Sequence, residues 1–519
     1  MGPGHRARSS LAWTRPRRPC GSNLTMPTPE YSVAMPSDID RELKQHLVRK
    51  DGQEDVCLAT YAISRGRDRT TALIRRIFRP ARGERHVHGN AAFTGDYVIR
   101  VAQEAASRGE GLILLHSHPG GRTWQGLSST DRETESGYSG VAGAVTKLPV
   151  VGMTLAGESG AWSARFWISR SESLEAEAVR VVGDQFMQSF NPRRRAAPLA
   201  TESQRRTVSA WGELVQADFA RTRVLVVGLG SVGLDVAQRL AASGVQSIGL
   251  MDFDAVEVHN LDRMIGATRT DARIGRTKVE VARRLLLAQA TASSPDIRSH
   301  ETSICDPDGL AVALDYDVVF SCVDRPWARA VLNQIAYSDL IPVIDGGINI
   351  EATEDGRMRS ATARAHTLVP GQPCMVCTQQ LNPARVALDR EGLLDDEEYI
   401  RASGIDAERV GQNVATMSAT ASSMLLAQFV SLIAAPGGRG IPGPLCFHFR
   451  HHILEHIETT QNPVCRWEAD PGEGDLRLPV ATGHAHAQEI LRQRQLNRRG
   501  LAPWFAKFRE ALGRLLLPD

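Results

Sequence analysis

Apolar and polar positions along this chain follow two regimes that change near residue 200. In the first, Val56–Ile63 reads as a strand, and Tyr97–Ser107 repeats apolar residues and alanines at helical spacing. Gly109 and Gly111 stop that helix ahead of a second buried strand, Leu112–Leu115. Strands over Val150–Ala156 and Ser163–Ile168 complete the block, and residues 169–207 read as a helical stretch ending in the turn Asn191-Pro192 and the basic run Arg193–Arg195. Beyond Arg223, short apolar runs at Val224–Val227, Ser247–Met251, Val318–Cys322 and Pro342–Ile344 alternate with helix-length segments, which predicts a parallel sheet doubly wound by helices. The expected division is a disordered Arg-rich segment at 1–35, an α/β domain at 36–170, a linker at 171–205, a second α/β domain at 206–470 and an amphipathic helical tail at 471–519.

Composition narrows the function classes. Lys and Arg (61) balance Asp and Glu (59), so no overall field attracts nucleic acid or an anionic membrane. The sequence shows no continuous apolar stretch of the ~20 residues a spanning helix needs. Eight cysteines in 519 residues are too few for a disulfide framework, and a reduced cytoplasm is the expected compartment.

Two residues of spacing on a strand send His116 and His118 to the same side, so the two imidazoles can share one metal. Ser128-x-x-Asp131 adds a carboxylate, although the same spacing suits a helix capping box. Two His and one Asp leave a tetrahedral zinc with an open position for water, the arrangement of a hydrolytic site. Glu54, at the mouth of the strand Val56–Ile63, is the candidate general base. Glu54, then His-x-His-Pro, then Ser-x-x-Asp resembles the JAMM signature of JAB/MPN metalloproteases, whose domain is a cytidine deaminase-like α/β fold. The resemblance implies that His116, His118 and Asp131 bind zinc, that Glu54 moves the proton, and that Ser128 helps hold the oxyanion. Two departures, a longer loop between His118 and Ser128 and Cys57 where a small Gly is common, bear on substrate fit.

Gly228-x-Gly230-x-x-Gly233 follows one strand and opens a helix, and Asp252 ends the next strand, a pattern that by itself fits an NAD-dependent oxidoreductase. The continuation Asp252-Phe-Asp254-Ala-Val-Glu-Val-His-Asn260-Leu-Asp-Arg263, then Gly275-Arg-Thr-Lys278, then Val323-Asp324-Arg325 resembles the ubiquitin-activating family that includes the ThiF and MoeB adenylyltransferases. That resemblance implies a Rossmann-like domain using ATP and Mg²⁺. Asp252, with Asp254 beside it, would hold the ribose; Asn260 would lie against the phosphates; Arg263 and Lys278 would neutralise charge there; Asp324 would reach the magnesium. It also implies adenylation of the C-terminal Gly of a ubiquitin-like or sulfur-carrier protein, with a conjugating enzyme as a further partner. Arg205 and Arg206 stand where relatives carry an arginine that reaches a neighbouring subunit's ATP, which implies a homodimer.

Cys374-x-x-Cys377 has the spacing of half a structural zinc site. Relatives complete it with a second cysteine pair; here Cys465 is followed at the matching position by Glu468, so a Cys₃ site with Glu468 or water and a site without metal are both open. No cysteine lies between Thr378 and Leu445, and Cys446, in an expected strand Leu445–Ile453, reads as a buried thiol, so thioester transfer is not supported. The expected protein is bifunctional, a zinc isopeptidase fused to an activating enzyme in a bacterial ubiquitin-like or sulfur-carrier pathway. The alternatives are an oxidoreductase and a non-catalytic scaffold with degenerate sites.

Overall fold

The computed structural model describes residues 29–88, 90–353, 355–394, 413–459, 462 and 464–497. The chain divides into two compact units, the first made of residues up to Val181 with Met187–Ala196 and Gly472–Arg477, the second of Val182–Phe186, Ala197–Pro471 and the residues from Leu478.

The first unit has strands β1 (Glu30–Pro36), β2 (Val56–Arg65), β3 (Arg69–Phe78), β4 (Arg85–His88), β5 (Asn90–Phe93), β6 (Gly111–His118), β7 (Val150–Ala156), β8 (Trp162–Ser169), β9 (Glu172–Glu175), β10 (Ala178–Val182) and β11 (Phe186–Phe190). All but the β4-β5 hairpin join one nine-stranded sheet in the order β11-β10-β1-β3-β2-β6-β7-β8-β9. Its helices are α1 (Ser37–Leu47), α2 (Gly95–Ser107) and α3 (Ser129–Thr146). Alternation along β2 sends Cys57, Ala59, Tyr61 and Ile63 into a core with Leu43 and Leu47 of α1, and Val56 and Leu58 into a second core with Tyr97, Val98 and Val101 of α2. Both faces of the sheet are therefore covered.

Two expected boundaries move. Residues 30–35 are ordered, because β1 pairs in parallel with β3 and buries Tyr31, Val33 and Met35. The expected linker at 171–205, with its helical stretch, is instead largely the strands β9–β11; every residue of β10 is buried, so it shows no alternation to betray a strand. Residues 1–28 of the expected disordered segment lie outside the described residues.

The second unit carries α4 (Arg205–Trp211), α5 (Glu213–Arg221), β12 (Val224–Val227), α6 (Ser231–Ala242), β13 (Ser247–Met251), α7 (Arg269–Arg273), α8 (Lys278–Gln289), β14 (Asp296–His300), α9 (Pro307–Ala313), β15 (Val318–Ser321), α10 (Pro326–Ser338), β16 (Val343–Ala352), β17 (Met358–Leu368), α11 (Pro383–Arg390), β18 (Leu445–His448) and β19 (Ile453–His456). Its eight-stranded sheet has the order β14-β13-β12-β15-β16-β17-β18-β19. The first five strands are parallel and the last three run antiparallel to their neighbours. Leu225, Val227 and Val319 pack toward α10 on one face, while Phe320 points the other way and meets Phe429 edge-on. Because β12 lies between β13 and β15, successive crossovers leave it in opposite directions and open a crevice at the carboxyl ends of the strands.

Among the described residues, one helix, Ala415–Ala434, is long and apolar enough by length and composition to cross a membrane, with mean hydropathy 1.5. It packs on α6, β16 and β17 and buries Ala421, Leu425, Phe429 and Leu432. The expected tail is not one piece: residues 472–477 belong to the first unit, 478–484 are neither helix nor strand, and 485–497 are helical. Its last portion, 498–519, lies outside the described residues.

Candidate functional site

In the first unit, β6 delivers His116 and His118 to one side and the N-terminus of α3 brings Asp131 to them. His116 Nε2 lies 3.2 Å from His118 Nε2 and 3.8 Å from Asp131 Oδ2, and His118 Nε2 lies 3.5 Å from the same oxygen. Ligand atoms bonded at ~2.0–2.1 Å to a tetrahedral zinc sit roughly 3.3 Å apart, so this donor set fits the ion without rearrangement. The capping-box reading also holds: Ser128 caps α3, its Oγ donates to Asp131 Oδ2 at 2.7 Å, and the box with Asp131 is complete. Ser128 thus positions the carboxylate that completes the cradle.

The electrostatics suit metal ligation. Burial, with the nearby Arg165 guanidinium, pushes His116 down to about 4 and keeps it neutral. Its hydrogen bond to Asp131 raises His118, and the same bond holds Asp131 well below the usual carboxylate range. Burial raises Glu54, with the charges of His118 and Asp131 and the nearby backbone of Ala91 as smaller influences. The structure therefore brings Glu54, His116, His118, Ser128 and Asp131 together. Cys57, in contrast, lies in the core, where burial pushes its thiol up to about 12, so it is a packing residue.

Sequence reasoning missed the residues behind the cradle. Thr154 Oγ1 lies 3.3 Å from His116 Nε2, and Arg165 donates to Thr154 Oγ1 at 3.1 Å through Nη1. Arg165 also forks onto the buried Glu135, with Nε 2.7 Å from Oε2, and Glu135 accepts Trp167 Nε1–H at 2.7 Å. Only Glu135 had a local signal, because four residues after Asp131 on a helix place it on the same face.

In the second unit, one cavity of about 550 Å³ at the crevice collects Gly228, Gly230, Asp252, Asp254, Asn260, Arg263, Lys278 and Asp324. Gly228 has φ +85°, and a Cβ there would press on the carbonyl of Cys322. Gly233 lies just inside α6, where a Cβ would overlap the carbonyl oxygen of Gly228; it shapes the turn without lining the cavity. The amides of Leu229 and Asp254 donate to Asp252 at 2.7 and 2.8 Å, which aims that buried carboxylate. Lys278 donates to Asp254 at 2.7 Å and lies 4.0 Å from Asp252. Burial opposes its positive charge, but Asp252, Asp254 and Asp324 outweigh that and hold its pKa above the ordinary lysine value. Arg263 donates to the His259 carbonyl at 2.5 Å and to Asp262 at 2.9 Å, while Asn260 Oδ1 accepts Glu257 N–H at 3.0 Å. A helix N-terminus and two cations beside three carboxylates make a place for a polyphosphate and a divalent ion.

A second donor set in this unit joins Cys374, Cys377, Cys465 and Glu468. The sulfurs of Cys374 and Cys465 are 3.6 Å apart, close to the ~3.8 Å edge that Zn–S bonds of ~2.3 Å give a tetrahedron. Glu468 accepts Cys374 N–H through Oε1 at 2.6 Å and leaves Oε2 buried without a hydrogen-bond partner. That orphan oxygen fits the fourth ligand position. Cys446, expected to be buried, is half-exposed on β18 in register with Arg364.

Residues 202–462 match the ThiF family. The molybdopterin-synthase adenylyltransferase of Escherichia coli strain K12 is 32% identical over 163 residues, 31% of this chain and 59% of that protein. The adenylyltransferase and sulfurtransferase MOCS3 of Culex quinquefasciatus is 32% identical over 148 residues, 28% of this chain and 33% of that protein. The chain thus spans between a third and three fifths of the length of these curated relatives. Among solved structures, E. coli MccB with ATP aligns at 20% identity and TM-score 0.40, covering 51% of this chain and 74% of that one.

Proposed function

Because this chain belongs to the ThiF family, whose match takes in the glycine turn and the charged residues of the crevice in the second unit, we propose that it adenylates the C-terminal carboxylate of a ubiquitin-like or sulfur-carrier protein. The observation that carries this is the convergence of Asp252, Asn260, Arg263, Lys278 and Asp324 on one cavity beside a glycine turn. An oxidoreductase needs the turn and one acid but has no use for that set of cations. In the proposed reaction the carboxylate oxygen of the partner's terminal glycine bonds to the α-phosphorus of ATP, and the bond to the bridging oxygen breaks to release pyrophosphate. Lys278 and Arg263 stabilise the negative charge that gathers on the phosphate oxygens, and Asp252 fixes the ribose. Asp324 would hold Mg²⁺, which would supply positive charge to offset the negative charge of the phosphates. Exposed Arg205 and Arg206 at the start of α4 suit a homodimer in which they reach the neighbouring copy's ATP. A cytoplasmic site of action and a conjugating enzyme as a second partner belong to the same reading.

ATP–pyrophosphate exchange in the presence of a β-grasp protein ending in Gly tests the reading. Exchange is expected with the wild type and a loss of at least about a hundredfold in Lys278→Ala. Reduction of NAD in place of exchange would return the oxidoreductase.

The first unit supports a second activity, zinc-dependent hydrolysis of an isopeptide or peptide bond to the same modifier, in the manner of JAB/MPN proteases. Its support is the spacing of His116, His118 and Asp131, which suits zinc, together with Glu54 in their electrostatic neighbourhood. Zinc there would supply a Lewis acid and lower the pKa of a water to about 7. Glu54, raised by burial, takes a proton and returns it to the leaving amine, and Ser128 keeps Asp131 oriented. The scaffold alternative requires both sites to be inert.

A further inference from the structure

The C-terminal segment contributes residues to the nucleotide cavity that no motif in the sequence announces. His484 and His486 line it together with Phe253 and Trp327. The ring of His484 lies 5.3 Å from that of Phe253 and 5.4 Å from that of Trp327, both steeply inclined, and His486 is 6.3 Å from His484 and 6.5 Å from Phe253. Four rings thus form a corner of the cavity.

The segment is fastened there by backbone and side-chain bonds along its length. Gln334 takes the carbonyl of Leu478 at 2.7 Å, Trp327 Nε1 donates to the carbonyl of Val480 at 2.9 Å, and Gly483 N–H reaches the carbonyl of Cys305 at 3.1 Å. Asp306 Oδ1 accepts both His484 N–H and the Gln488 side chain at 2.7 Å, and Ser303 Oγ lies 2.8 Å from His484 Nδ1. From the following helix, Arg494 donates to the carbonyl of Phe253 at 3.0 Å. A segment that merely drapes over a surface has no need of so many anchors.

The position of this corner identifies its ligand. Phe253 follows Asp252 directly and Ser303 follows β14, the strand beyond β13, while Trp327 opens α10 after β15, so the rings close the cavity beside the acid placed at the ribose. The ammonium of Lys278, paired with Asp254, serves the charged part of a nucleotide. Aromatic ring faces and edges suit a flat heteroaromatic base.

We propose that residues 478–488 build the nucleobase wall of this cavity, with His484 and His486 making ring contacts to the purine of the bound nucleotide. The proposal rests on the ATP reading of the same cavity. Calorimetric titration of the full chain, in Mg²⁺, with ATP, AMP and inorganic tripolyphosphate separates the two. His484→Ala and His486→Ala are expected to weaken ATP and AMP about tenfold each and to leave tripolyphosphate unchanged. Lys278→Ala is expected to weaken tripolyphosphate and ATP. His486 is exposed, so its variant reports on the wall even if His484→Ala fails to fold. Unaltered ATP affinity in the folded histidine variants, with loss in Lys278→Ala, overturns the wall and leaves the ATP reading standing. Equal weakening of ATP and tripolyphosphate, or tighter ATP binding, also overturns it. A wild-type chain that binds no ATP overturns both.

Discussion

Glu54 and Asp131 are carboxylates of one neighbourhood with opposite settings. Burial lifts the first, while the bond from His118, helped by that from Ser128, holds the second down as a permanent anion. The division suits a proton carrier and a ligand, respectively. Glu54→Gln keeps the shape of the side chain but removes its capacity to carry a proton. It is expected to retain zinc, by metal analysis, and to lower cleavage of a modifier–peptide fusion by at least about a hundredfold, with pyrophosphate exchange untouched. Cleavage at the wild-type rate would remove Glu54 from the mechanism. The candidate ligands were legible because two histidines on alternate strand positions and a capping acid are local patterns. Thr154 and Arg165 were not, since strand pairing alone brings them behind His116, and Glu135 had only its helical spacing from Asp131 to point to it. His484 and His486 are farther still in sequence from the cavity they line, and nothing in their local spacing points to it.

At the level of elements, the turn between β12 and α6 depends on space as much as on dihedral freedom. A methyl group at Gly233 would collide with the carbonyl of Gly228, a backbone atom that can move only by unwinding the start of α6. Gly233→Ala is therefore expected to lower stability by about 1–3 kcal/mol and to abolish exchange, seen in thermal melting and the pyrophosphate assay. A wild-type melting temperature and rate would show that the turn tolerates the methyl. Runs such as Val224–Val227 and Ser247–Met251 were readable because they are short, apolar and bounded by glycine or acid. The hairpin of β16 and β17 extends well past Ile344, where Gly346 and Gly347 interrupt the apolar run and hide the strand from a periodicity argument. The expected strand Leu445–Ile453 is two strands, β18 and β19, joined by a turn in which His452 takes φ +53°.

For the molecule as a whole, acid sensitivity follows from histidines buried neutral. His366 on β17 is fully enclosed; burial, together with Arg364 and Arg329 against the opposing pull of Asp345, lowers it to about 4. Between that value and the unfolded-state pKa near 6.5, the unfolded chain binds a proton that the folded chain refuses, so stability rises with pH across this window and falls on acidification. The contribution lost by pH 5 is roughly 2 kcal/mol. Denaturant titration at pH 7.5 and 5.0 should show a smaller acid-induced loss in His366→Gln than in the wild type, and equal losses would contradict the assignment. The α/β character of both units and the Rossmann-like order of the second were legible from the sequence. The seam between the units was not, because contiguous stretches of chain do not coincide with them.

Residues 472–477 give that mismatch a consequence during synthesis. Gly474, with φ +52° and no room for a Cβ beneath Ile63 and Leu73, and Asp475, bonded to Arg65 through backbone and side chain, are part of the first unit. The ribosome must therefore pass residue 477 before the first unit can be finished. Domains usually mature from the N-terminus as they emerge; here the first unit waits for a six-residue keystone that leaves the ribosome only after the sheet strands of the second unit, and a nascent chain released before it would leave that unit incomplete.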